Sequence, residues 1–133
     1  FLEGTAHNNF GRNKIKDYSN FKKKMKYQIY GTNINYLLEE KILDVPNYIK
    51  IDVDGLEYLI LKGAEKFLNN LQLKEILIEL DERKKKEFNS TIKLLEENNF
   101  KFFKKKRNEK FHVTKDSKFI FNYIFKKINY KSF

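Results

Sequence analysis

Two short acidic groupings carry the residue types that acid–base chemistry needs. The first is Asp52, Asp54 and Glu57 around Gly55 in IKIDVDGLE; the second is Glu79 with Asp81 in ILIELD. A carboxylate within hydrogen-bond reach of an acceptor hydroxyl can orient it or take its proton. Asp52 follows an apolar, β-branched run, so its charge is expected near the buried end of a strand. There an ion requires a partner, a metal or a ligand to offset desolvation. Glu79 raises the same question inside ILIEL. Asp54 and Glu57 also have a structural reading: their spacing is that of a capping box, with Asp54 accepting backbone N–H groups and Glu57 reaching back. Asp81 has the comparable option of capping the following helix.

Other chemistries find little in the residue inventory. There is no Cys, and His7 and His112 stand far apart in loops without triad neighbours, so they read as surface residues and no metal site is expected. No Gly-x-Gly-x-x-Gly and no Walker loop offers a dinucleotide or phosphate cradle. The net charge of +10 rests almost wholly on Lys, with only Arg12, Arg83 and Arg107 to supply planar forks. The Lys accompany abundant Asn and Ile, the bias of AT-rich coding DNA. Runs at 22–24, 84–86 and 104–107 are therefore read as solvated surface, and nucleic acid is not the expected partner.

The elements that must position the carboxylates follow from periodicity. Residues 1–30 read as a poorly defined loop region, with a possible short strand over 27–30. Thr32 or Asn33 is placed to cap a helix through Ile34, Leu37 and Leu38 that ends before Pro46. YIKIDV (48–53) reads as a buried, central strand ending at DG. LEYLILKGAEKFLNNLQ (56–72) reads as an amphipathic helix with Leu56, Leu59, Ile60, Gly63, Phe67 and Leu71 on its buried face. A second strand follows over 75–80, and strand, helix, strand implies a parallel pair. The pattern then predicts a helix over 83–97 through Phe88, Ile92 and Leu95, ended by Asn98 and Asn99. Strands over 100–104 and 118–126, antiparallel to each other, complete the chain. The fold class is α/β, and ligands of such sheets sit beyond the carboxyl ends of the strands, where both acidic groupings fall.

The 133 residues fit one domain (1–133, with its α/β core over 31–133), and 41% apolar content with 13 Phe and 8 Tyr suffices for a core. No apolar run approaches the ~20 residues that span a bilayer. The opening residues lack the organisation of a signal peptide, so the chain reads as cytoplasmic and as an internal piece of something longer.

PNYIKIDVDGLEYLILKGAEKFL (46–68) resembles the FkbM methyltransferase family, whose signature runs K-I-D-V-E-G-x-E and then a helix with L-x-G-A. Here those positions are 50–57, then Leu61, Gly63 and Ala64, with Asp54 where Glu is usual. LKEILIEL, TIKLLEENNF and NYIFKK look like the family's following strand, helix and closing strand; NNFGR and GTNINYLLEE look like its upstream loop and helix. The resemblance implies methyl transfer from S-adenosylmethionine to a hydroxyl of a sugar or other small metabolite. It also implies a partial Rossmann-like class I methyltransferase fold, parallel strands with an antiparallel C-terminal strand. Asp52 is then the first candidate for the catalytic carboxylate and Glu79 the second. Asp54, Gly55 and Glu57 shape the cofactor pocket, and Asn122 reaches the acceptor side. The family's glycine-rich cofactor loop has no counterpart here, so the isolated chain is expected to be inactive. A homo-oligomer is a possible assembly.

Two further readings compete. IKIDVDG also resembles the D-x-D-G opening of haloacid-dehalogenase-type phosphatases, which use Mg²⁺ and an attacking Asp; Leu56, where that pattern wants Thr, counts against it. The other is a non-catalytic basic binding module.

Overall fold

The computed structural model describes residues 31–53, 55–107 and 117–128, all within the unit Gly31–Phe133. Asp54, His7, His112 and the strand expected over 27–30 lie outside the described residues.

The first helix, α1 (Ile34–Glu39), starts as the sequence predicts: Asn33 is extended and its side-chain oxygen accepts the Tyr36 N–H at 2.9 Å. Strand β1 (Tyr48–Ile51) then leads into two short helices, α2 (Glu57–Lys62) and α3 (Glu65–Leu68). Strand β2 (Glu75–Asp81), helix α4 (Lys85–Glu97), strand β3 (Phe100–Lys106), a 3-10 turn (Ser117–Phe119) and strand β4 (Ile120–Lys127) follow. The sheet order is β1-β2-β4-β3. β1 and β2 are parallel, and β4 runs antiparallel between β2 and β3. The result is a mixed α/β structure, in which the two late strands are antiparallel as expected.

Alternation divides the sheet into two faces. Ile51, Ile76, Ile78, Leu80, Tyr123, Phe125 and Phe100 belong to one core cluster with Leu61, Ala64 and Leu68 of α2 and α3 and Leu94 and Leu95 of α4. Leu77 and Ile124 point the other way, are half-buried, and lie outside that cluster. The helical face supplies most of the hydrophobic stabilisation, at ~1.5–3 kcal/mol for each large side chain removed from water.

Four expectations need correction. Among the described residues β1 stands at an edge rather than at the centre, bordering only β2, and Tyr48 is 66% exposed. It also stops at Ile51, because the chain turns toward Gly55, whose φ of 98° is a conformation that favours glycine. The helix over 56–72 is two helices, and its buried stripe is Leu61, Ala64 and Leu68; Leu59 and Leu71 are 60% and 71% exposed. That segment is apolar around most of its circumference, so periodicity alone does not select the face that meets the sheet. The break falls at Gly63, whose carbonyl accepts the Asn35 N–H at 2.7 Å and where an added Cβ would lie 3.2 Å from that of Asn33. The capping box does not form as drawn: Leu56 is the N-cap of α2 and gives no side-chain cap. Finally, α4 begins at Lys85 without a side-chain cap, because the Asp81 carboxylate is engaged by Arg83.

Candidate functional site

The strand register brings the two acidic groupings together. The β1–β2 ladder ends at Ile51↔Ile78, so Asp52 and Glu79, the next residue of each strand's path, leave it side by side. Glu79 opposes Asn122 across the β2–β4 ladder, and Asn122 opposes Lys106 across β4–β3. Ile78 and Leu80 lie in the core, so Glu79 occupies the sheet's other face, together with Asn122 and with Leu77 and its β1 partner Lys50. Asp52, Glu79 and Asn122, read separately in the sequence, thus form a row at the carboxyl end of β1 and β2.

Asp52 is not in the buried position its sequence context predicts. Its side chain is 39% exposed and accepts from Lys50 Nζ at 2.9 Å. Water and one ammonium meet the desolvation cost that a buried ion would need a ligand to offset. The hydrogen bond to Asp52 raises the Lys50 pKa, as do the charges of Asp52 and Glu79. Lys50 is therefore the cation that lets two carboxylates share one end of the sheet. Its signal was available: residues i and i+2 of a strand share a face.

Next to this row lies a cleft of ≈ 230 Å³, lined by Gly55, Glu57 and Tyr58, by Glu79 to Asp81, and by Arg83, Phe88 and Thr91. Glu57 is buried, and its Oε1 accepts the N–H of Gly55 at 2.9 Å and of Val53 at 3.4 Å. It does reach back, as a capping carboxylate should, and ties down the loop after β1 at Val53 and Gly55. Of the residues expected at a cofactor, Gly55 and Glu57 line the cleft and Asp54 lies outside the described residues; Asp52 and Asn122 do not line it.

In the sequence Arg83 counts only as one of three planar forks and has no role at the site. Its Nε donates to Asp81 Oδ1 at 2.9 Å and to Oδ2 at 3.1 Å, and its terminal nitrogen donates to Oδ2 at 2.7 Å. These bonds hold the Asp81 pKa below its ordinary value. Thr91 was also missed: it is fully buried, lines the cleft, and its hydroxyl has no hydrogen-bond partner among the described residues. Phe88 and Thr91 sit i, i+3 on α4, so helical spacing places them on one face. Just outside the cleft, Glu82 accepts from both Lys105 and Tyr123, which lowers its pKa in that order of cause and joins the end of β2 to the β3–β4 pair.

Small-molecule sites enclose roughly 300–1,000 Å³. The cleft is smaller, so the described residues alone do not enclose a complete small-molecule pocket. Among the described residues, no group of three His, Asp or Glu is arranged to ligate a metal.

A family model described as a methyltransferase FkbM domain matches residues 7–102. The match starts well before the 46–80 stretch in which the motifs concentrate and ends within β3, short of β4. No curated protein and no solved structure matches the chain.

Proposed function

The chain belongs to the FkbM methyltransferase family, and from that premise we propose that it serves methyl transfer from S-adenosylmethionine to a hydroxyl of a sugar or other small metabolite. The supporting observation is the row of Asp52, Glu79 and Asn122 at the carboxyl end of neighbouring strands. When bound, the cofactor supplies an electrophilic methyl group. The chain's own part is to hold the acceptor oxygen in line and to receive its proton. In this reading Asp52 takes the proton, Lys50 fixes the carboxylate by its ion pair, and Glu79 and Asn122 hold neighbouring hydroxyls. Gly55 and Glu57 keep the loop beside Asp52 in one conformation. The four strands are read as part of a Rossmann-like sheet with β4 as its antiparallel member. No described helix is long and apolar enough to cross a membrane, and the proposed setting is the cytoplasm. A homo-oligomer paired through the edge of β1 is the proposed assembly, since among the described residues that edge has no strand beside it.

The family match favours this reading over phosphatase chemistry at IKIDVDG. The test is transfer of labelled methyl groups to a panel of sugars, with the chain and with the product of the whole reading frame that encodes it. Asp52→Asn and Glu79→Gln are each expected to lower the rate by about 10²–10⁴, and full activity in both variants would remove the carboxylates from the mechanism. The 133 residues contain no glycine-rich cofactor loop, and we propose that alone they do not hold the cofactor. Micromolar binding in a calorimetric titration would overturn that point.

A further inference from the structure

β3 reads FKFFKKK and is followed by Arg107, without an acidic residue among them. In a regular ladder Lys101, Phe103 and Lys105 would share one face. The ladder is not regular: the register passes from Phe102↔Phe125 to Lys104↔Ile124, which leaves Phe103 as an extra residue in a bulge. Lys101, Lys104 and Lys106 consequently oppose Lys126, Ile124 and Asn122, every second residue of β4, and all three fall on the face away from the helices. Phe103 joins them: Lys126 Nζ lies 3.7 Å from its ring centroid, and the residue is 57% exposed.

Among the described residues the charges of this row are uncompensated. Lys105 is turned to the helical face, where Glu82 takes it, and Lys126 pairs with Glu75 at 3.7 Å. Lys101, Lys104 and Lys106 are exposed and meet no carboxylate among the described residues. Lysines on an edge strand deter pairing with other strands, but any placement along β3 would do that. The bulge sets three lysines rather than two on the face of the exposed ring.

We propose that this face binds single-stranded nucleic acid without sequence preference, with Lys101, Lys104 and Lys106 on successive phosphates and Phe103 stacked against a base. The lysines oppose every second residue of β4, a spacing of about 6.8 Å at ~3.4 Å per residue, a repeat that an extended sugar–phosphate chain matches. Cationic grooves that track the backbone, with aromatic rings under the bases, are how such strands are held. An anionic membrane fits less well. A flat bilayer laid on this face would also meet the carboxylates Glu75 and Glu79, which share it, whereas a strand following β3 passes beside them. Composition argued against nucleic acid; the placement of the lysines argues for it on this face.

The test is fluorescence anisotropy of a labelled oligouridylate of about 12 nucleotides with the 133-residue chain, from about 50 to 200 mM salt. The variant Lys101→Gln/Lys104→Gln/Lys106→Gln is expected to flatten the slope of log affinity against log salt by about 2, at ~0.7 per phosphate. Phe103→Ala is expected to weaken binding about tenfold with the slope kept. A control of equal net charge, Lys62→Gln/Lys66→Gln/Lys93→Gln, should leave the slope as in the parent chain, and unchanged melting curves show that each variant folds. The proposal falls if the β3 variant keeps the parent slope, if the control flattens it equally, or if phosphatidylserine vesicles bind through these lysines while the oligonucleotide does not.

Discussion

Thr91 and Asp81 show how differently two polar residues in one cleft can be provided for. The Thr91 hydroxyl is buried without a described partner, and such a group costs about 1–3 kcal/mol of stability. Thr91→Val keeps the shape and removes the orphan, so the free energy of urea unfolding is expected to rise by about 1 kcal/mol; a fall would mean that the hydroxyl is satisfied in solution. Asp81 is the opposite case, with a guanidinium across both oxygens. Its folded pKa lies below its ordinary 3.8, with the Arg83 hydrogen bond as first cause. The unfolded chain therefore binds the proton more tightly. The contribution of Asp81 is complete above pH 3.8 and is lost as the pH falls through the depressed folded value. Arg83 is 41% exposed, so solvent screening limits the effect to about 1 kcal/mol. Asp81→Asn should flatten the acid limb of a stability–pH curve, and an unaltered limb would assign that slope to other carboxylates such as Glu82.

At the scale of elements, two helices rely on a strand for their ends. Lys127, the last residue of β4, donates to the carbonyl of Leu68 at the end of α3 and, at 2.9 Å, to that of Asn98 at the end of α4. Cations near helix C-termini also favour the negative end of the dipole. Burial pushes the Lys127 pKa down, a cost that these hydrogen bonds offset. Lys127→Met keeps an apolar side chain of similar length and removes the donors, so about 1–3 kcal/mol should be lost. Faster amide exchange should appear first at Asn69 to Leu73, and protection equal to the parent there would show that water replaces the ammonium. Asn99, with φ of 63°, is the left-handed residue that lets α4 end and Phe100 enter the core.

At the scale of the molecule, one cluster draws on all four strands and on the helices packed against them. Phe125 is 1% exposed, stacks on Tyr123 and meets Phe102 edge to face. Phe125→Ala is expected to cost about 3–5 kcal/mol, a large share of the ~5–15 kcal/mol typical of a domain. Far-ultraviolet and aromatic circular dichroism should lose their signals in a single shared transition at lower temperature. Separate transitions would show that the β3–β4 pair melts independently of β1 and β2.

The sequence by itself determined the local parts. The strand at Ile76 to Leu80, the helix through Phe88 and Leu95, the Asn33 cap, the helix end at Asn98 and Asn99, and the aromatic alternation of β4 all follow from periodicity and cap chemistry acting over a few residues. The acidic groupings at Asp52 and Glu79 were legible for the same reason, as were the motifs that the family match bears out. Tertiary structure decided whatever depends on partners distant in the chain. β4 lies between β2 and β3, so Asn122 stands opposite Glu79, and no local pattern encodes that insertion. The face of α2 and α3 that is buried was chosen by the sheet and α4, because apolar side chains surround most of that segment. The exposure of Asp52 follows from β1 having β2 as its only described neighbour, and which lysines of β3 share a face was decided by pairing with β4, which makes room for one extra residue.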